Sequence, residues 1–303
     1  MTLENKKTLP FVSVIIPAYQ AMNDLAINLE SLHNQSYPST DYEIIVVDNG
    51  ENDGIENLLD TFPLLSIIKE EEKSSYAARN SGIRHSKGQV IVFTDADCIA
   101  SQTFIQEGVK KLQSTPNCGL VGGQIKLQFL HDNRPNLIEL FEHATIFLQE
   151  KFITKHKYAA TANVFTYIDV INDVGFFKSH LKSMGDGDWG RRVWKAGYSL
   201  AYSEEAYVLH PTRRSFNALS KRCKRLVGGR YAKYKLDHDN NFRLSKELIA
   251  TTISWHRIQP ILAYSSVGII KRLQLLCLLP ILSYIEIQER LKLQFFQKKM
   301  ERS

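Results

Sequence analysis

Cysteine is scarce in this chain. There are four in 303 residues, Cys98, Cys118, Cys223 and Cys277, and no two form a C-x-x-C pair. That spacing argues against a zinc motif and against a secreted disulfide framework, and it fits a reducing compartment. Glycine-rich phosphate cradles are also lacking where they would matter. No G-x-G-x-x-G follows any strand-like run of the first hundred residues, and G-x-x-x-x-G-K-[ST] is absent. Phosphate charge would therefore have to be met by a metal and by basic side chains rather than by a backbone loop. Long apolar runs are missing too. The most apolar stretch, "LQLLCLLPILSYI" from Leu273 to Ile285, follows Lys271 and Arg272 and contains Pro280. It falls short of the roughly 20 residues that span a bilayer, which leaves interfacial, packing and dimer roles open. No apolar h-region follows the lysines of "MTLENKKTLP", so a cytoplasmic location is expected.

What is present is an ordinary globular composition, 44% hydrophobic and 23% charged, in a length that suits one large domain or two small ones. The net charge of +6 favours anionic partners: nucleotide diphosphates, nucleic acid or an acidic membrane surface. Much of the excess lies between Arg213 and Lys235, where nine basic residues occur without one acid. That stretch reads either as a solvated helix face or as a patch held against anionic lipid.

The first hundred residues alternate between two patterns. "FVSVII" (Phe11 to Ile16), "EIIVV" (Glu43 to Val47), "LLSIIK" (Leu64 to Lys69) and "VIVFT" (Val90 to Thr94) are short, β-branched and apolar on both faces. Helical spacing lies between them: Leu25, Leu29 and Leu32 over Asn23 to His33, with Asn23 or Asp24 as cap, and a second helix from about Ser75 to Ser86. This is the pattern of an α/β protein with a mostly parallel sheet flanked by helices. Beyond Gly119 a β-rich "GLVGGQIKLQFL" precedes a helix-like Asn136 to Lys151, and Asp186 to Gly197 reads as a helix ending on a glycine cap.

In such sheets ligands bind beyond the carboxyl ends of the strands, and polar residues gather there. Strand one runs into "PAYQ", strand two into "DNGENDG" and strand four into "DAD". Alternation along an extended segment would point Asp95 and Asp97 the same way, two hard oxygen donors suited to a divalent cation. An ordinary turn would account for the same two acids.

From Val12 to His210 the chain resembles the family-two nucleotide-sugar glycosyltransferases of the GT-A fold. The resemblance rests on "VSVIIPAYQ", "IIVVDNGENDG", "AARNSGIRHSKGQVIVFTDADC", "TANVF", "MGDGDWGRRVWKAGY" and "AYVLHP", in the family's order. It implies an inverting, metal-dependent transferase that uses Mn2+ or Mg2+. The donor would be a nucleotide-sugar, with UDP as the expected nucleotide, and the acceptor a growing glycan or a lipid-linked one in surface polysaccharide synthesis. Pro17, Ala18, Tyr19 and Asp48 would then lie at the base and ribose, Arg79 would reach toward the nucleotide and its phosphate, and Asp95 would sit near ribose and metal. Asp97 would bind the metal, with His210 as a further candidate. Asp186 would be the general base, or alternatively a helix N-cap. Asn163, Asp188 and Trp189 would face the acceptor, although Trp189 and Trp194 also suit a core. Two positions depart from the family: Gly185 stands in the usual glutamate slot, and Asn49 where a second acid is common.

The expected organisation is a transferase domain over residues 1–212, with its nucleotide half at about 10–100 and its acceptor half at about 101–212, then a basic, amphipathic helical extension over 213–303. Peripheral contact with an anionic membrane at its cytoplasmic face is expected, and nucleic acid is not. Two rivals explain part of the pattern. A sugar nucleotidyltransferase would also use strand-end acids and a metal, but would carry a glycine-rich loop where this chain has "PAYQ". A nucleic-acid-binding protein would use the basic stretch and leave the acids unexplained.

Overall fold

A computed structural model describes residues 9–50, 52–131, 134–146, 148–181, 183–237 and 255–296. The four early strands form as expected: β1 (Val12–Ala18), β2 (Tyr42–Asp48), β3 (Leu65–Lys69) and β4 (Val90–Thr94). They join β5 (Ile99–Ala100), β6 (Cys118–Gln128), β7 (Asn163–Tyr167) and β8 (Ser199–Pro211) in one sheet of order β3-β2-β1-β4-β7-β6-β8-β5. β1 pairs in parallel with both β2 and β4, and β2 with β3, whereas β7 lies antiparallel to β4 and to β6. The sheet is thus mixed, with a parallel half at its amino-terminal end. β2 and β3 leave β1 on one side and β4 on the other, so chain order reverses at β1. That reversal opens the crevice in which open α/β sheets bind ligands.

Helices cover this sheet by burying a stripe. In α1 (Met22–His33), Leu25, Leu29 and Leu32 are fully buried, as their spacing predicts. The cap differs from the expectation. Ala21 is the N-cap, Asn23 and Asp24 fall inside the first turn, and the Ala21 amide is satisfied from afar by the Asn52 side chain at 3.0 Å. In α2 (Ser75–His85) the Ser74 hydroxyl accepts from the Ala77 amide, supplying the local cap that α1 lacks. α3 (Phe104–Ser114) packs closely enough on β7 that a Cβ at Gly108 would sit 2.2 Å from the Phe165 ring.

Residues 136–151 form two helices instead of one. α4 (Leu137–Thr145) opens on a capping box between Asn136 and Glu139, and α5 (Gln149–His156) begins after a break. Leu140, Phe141 and Ala144 of α4 are buried with Leu219 and Cys223 of α8 (Phe216–Asp237), Ile261 of α9 (Trp255–Ala263) and Leu275, Leu278 and Leu282 of α10 (Ile269–Phe296). By packing, the chain divides into two units. The sheet unit comprises Met1–Lys126, Gln149–Ser179 and Asp186–His210, and the helical unit Leu127–Leu148, His180–Gly185 and Pro211–Ser303. The remaining helices, α6 (Ile168–Val174) and α7 (Gly185–Lys195), follow β7. α7 closes on Gly197 at φ 94°, the left-handed residue expected there.

The basic stretch proves to be α8 and the turn before it, and part of its charge is internal. Arg213 donates to the buried Glu142 at 3.0 Å, and burial beside Arg213 pushes the Arg222 guanidinium down to about 10. Arg214 and Lys221 are exposed, and the side chains of Lys233 and Lys235 lie outside the described residues.

Candidate active site

The carboxyl ends of β1 and β2 are tied together by one side chain. Asn52 is buried; its Nδ2 donates to the Ala18 carbonyl at 3.2 Å and to Asp48 Oδ1 at 2.6 Å, while its Oδ1 accepts from the Ala21 amide. Asp48 Oδ1 accepts a further bond from the Gly50 amide at 3.1 Å. Pro17 and Ala18 end β1, Ala18 is fully buried, and Tyr19 is exposed directly after them. Gly50 lies so close beneath Tyr19 that a Cβ would come within 2.5 Å of the ring and 2.7 Å of the Tyr19 Cα. Gly50→Ala must therefore push the two turns apart. A loss of about 1–3 kcal/mol in chemical denaturation, with weakened nucleotide binding in calorimetry, is the expected outcome.

At the end of β4 the chain turns at once. The Cys98 amide donates to the Asp95 carbonyl at 3.0 Å, so Asp95, Ala96 and Asp97 form a turn rather than an extended run. Strand alternation does not govern them, and the two acids have different partners. Asp95 Oδ1 meets Arg79 Nη2 at 2.5 Å, the arginine being nearly buried in α2. Arg79, expected to reach toward the nucleotide and its phosphate, has its guanidinium engaged with this carboxylate. Asp97 lies with Cys98 and His210, and its Oδ1 is 3.7 Å from His210 Nε2 at the end of β8. Among the described residues these three side chains form the cluster able to hold a metal ion, each donor atom within 4.8 Å of the others. Asp95 is outside that cluster. Burial, and then the charges of Asp95 and Asp97, hold the Cys98 thiol well above the usual thiol range. Asn28, buried in α1, clamps the turn from behind by donating to the Cys98 carbonyl at 2.6 Å.

Asp186 enters α7 behind Met184, a non-glycine residue in the left-handed region at φ 69°. Such backbone is costly and is held by its surroundings. The helix begins at Gly185, so Asp186 sits in its first turn rather than at the cap. Its Oδ1 accepts from the Gly187 amide at 2.8 Å and from the Tyr76 hydroxyl at 3.5 Å. Tyr76 stacks on Phe177 and has the Arg79 guanidinium 5.9 Å from its ring centroid. Gly185, Gly187 and Gly190 spell G-x-G-x-x-G, yet they open a helix with no strand before it, unlike a dinucleotide loop.

The three acceptor-side expectations fare differently. Asn163 is fully buried and its amide donates to the carbonyls of Gln124 and Ala206, 3.0 and 2.8 Å away. The acceptor reading gives way to a structural one, because the side chain joins strands and is closed to solvent. Trp189 is 1% exposed, donates to the Gly175 carbonyl and packs on Phe177; it belongs to the core. Trp194 does not, being 48% exposed. Asp188 is taken by Lys178 and Arg192, each at 3.1 Å. Burial raises its pKa, but the two basic partners outweigh that and hold the carboxyl below its ordinary value.

Tyr76, Asn52 and Asn28 were not foreseen as site residues. Tyr76 had a visible signal, since it stands three residues before Arg79 on a predicted helix and so shares its face.

The glycosyl transferase family 2 profile matches residues 13–194, well over half of the chain. The glycosyltransferase AglE of Haloferax volcanii is 37% identical over 235 residues, which make up 76% of this chain and 76% of that protein. Among solved structures, the mannosyltransferase PcManGT of Pyrobaculum calidifontis, in complex with GDP-Man and Mn2+, superposes with a TM-score of 0.64 at 18% identity. That match covers 96% of this chain and 89% of that one. Residues 1–349 of Staphylococcus aureus TarS, in complex with UDP, give 0.52 at 15% identity over 96% and 93%. The fold is that of the GT-A glycosyltransferases. With the strand-end acids, the profile match and the relative all pointing one way, the chain belongs to glycosyl transferase family 2.

Proposed function

We propose that the chain moves a hexose from a nucleoside-diphosphate donor to a glycan or lipid-linked acceptor, with inversion at the anomeric carbon and with the help of a divalent cation. The observation that carries this reading is the pairing of Asp97 with His210 at the strand ends, with Asp48, Tyr19 and Gly50 at the carboxyl ends of β1 and β2, next to β4 in the sheet. A carboxylate oxygen and an imidazole nitrogen suit Mn2+, and a carboxylate suits Mg2+; the soft thiol of Cys98 suits neither. Asp97 and His210 would thus be the protein's ligands, with phosphate oxygens of the donor completing the set. When bound, the cation offsets the charge that builds on the leaving diphosphate.

The chain's own residues supply the rest. The Pro17–Tyr19 edge and Asp48 hold the base and ribose. Arg79 fixes the Asp95 carboxylate toward the ribose side, acting through Asp95. Asp186 accepts the proton of the acceptor hydroxyl as its oxygen attacks the anomeric carbon. The bond from that carbon to the diphosphate oxygen breaks, and its electron pair leaves with the diphosphate. Attack opposite the leaving group inverts the centre. The ligands of the two structural neighbours, GDP-Man with Mn2+ in one and UDP in the other, support a nucleotide-sugar donor. Contact with an anionic membrane, in surface polysaccharide synthesis at the cytoplasmic face, completes the proposal.

Calorimetric titration of the purified chain with UDP, GDP and dTDP, with and without Mn2+, tests the donor reading. One nucleotide is expected to bind only when the metal is present. A folded protein that binds none of the three would overturn it.

A further inference from the structure

α10 has two apolar faces where a surface helix needs one. Leu275, Leu278 and Leu282 are buried in the helical unit. On the other side Ile270, Leu273, Cys277, Ile281 and Tyr284 recur at helical spacing, and all five are exposed, Ile270 by 70% and Tyr284 by 60%. At 1.5 Å per residue this stripe is about 21 Å long. The helix does not cross a membrane: none of the described helices is long and apolar enough. Its charges are one-sided as well. Glu286 and Glu289 are buried, and Arg257 holds Glu286 at 2.6 Å. The charged side chains that α10 leaves exposed are Lys271 and Lys292. α9 adds an exposed Trp255 and Leu262 in the same unit.

We propose that α10 lies flat on an anionic bilayer, with the stripe from Ile270 to Tyr284 sunk into the headgroup region and Lys292, eleven residues after Ile281 and so on the same face, against lipid phosphates. Apolar surface, aromatic rings with a polar tip and positive charge without exposed acid are the three features of an interfacial helix. A second copy of the chain is the poorer occupant. A two-fold contact applies one face to itself and so sets positive charge against positive charge, whereas an anionic bilayer presents the opposite charge. The inference deepens the membrane contact of the proposed function, and its residues lie outside the transfer site.

Co-sedimentation of the full chain with phosphatidylglycerol/phosphatidylethanolamine vesicles, against phosphatidylcholine vesicles, reads it directly. Binding to the anionic vesicles is expected, reduced at least tenfold by Leu273→Glu with Ile281→Glu and to a lesser degree by the milder Leu273→Ser with Ile281→Ser. Circular dichroism and nucleotide titration on the same samples keep a folding defect, or failure of the donor reading, apart from failure of this one. Three results would sink it: no sedimentation of the wild type, sedimentation undiminished in both variants, or a wild-type dimer in light scattering that the double glutamate variant makes monomeric without any vesicle binding.

Discussion

Asp186→Asn is expected to lower kcat by about 10^2- to 10^4-fold, the range a positioned general base supplies, while the nucleotide binds as in the wild type. The asparagine keeps the shape and still accepts from the Gly187 amide and the Tyr76 hydroxyl, so α7 should start where it does now. What it removes is the capacity to take a proton. A split between kcat and binding separates the two roles: loss of a base lowers kcat and leaves donor affinity where it was, whereas a disturbed α7 weakens both. Transfer from the donor found by calorimetry onto lipid acceptor extracted from membranes gives the rates. A loss below about tenfold would reduce Asp186 to a helix-turn residue.

Asp97→Ala should act more widely, on binding and on chemistry together. Truncation leaves His210 as the one hard-metal donor of the cluster, and a single imidazole holds Mn2+ poorly. Nucleotide binding should lose its dependence on Mn2+, and transfer should fall by about 10^3-fold, several kcal/mol of electrostatic help at roughly 1.4 kcal/mol per decade. Asp95→Ala is the informative companion, since it frees the nearly buried Arg79 guanidinium instead of emptying the cluster. Metal-dependent binding that survives Asp97→Ala would move the cation to other residues and undo the ligand assignment.

The parts of this molecule that could be read from its sequence are those fixed by local pattern. β1, β2 and β4 are buried on both faces, so each appears as a mainly apolar run closed by a polar turn. Leu25, Leu29 and Leu32 mark their helix in the same way. The readings that changed depended on distant contacts or on local geometry finer than periodicity. The α1 cap comes from Asn52, 31 residues away, and no window around Asn23 contains that information. Asp95 and Asp97 looked like one ligand pair because alternation was carried three residues past the end of β4, into a turn. Asn163 carries the chemistry of an acceptor contact, but its neighbours across the sheet, Gln124 and Ala206, use both hydrogens of its amide. Trp194 looked like core because it is large, yet the helix turns it outward, whereas Trp189 one turn earlier is turned in.

Several of the ties that hold the candidate site join residues far apart in the chain. Asn28 reaches Cys98 across 70 positions, Ser74 reaches Ser179 across 105, and Tyr76 reaches Asp186 across 110. No hairpin or single β-α-β unit contains the crevice, so a partly folded chain has nothing for a donor to bind. Ligand affinity and global folding are therefore one equilibrium, and a nucleotide present at 100 times its Kd would add about 2.7 kcal/mol to the stability of the whole sheet unit.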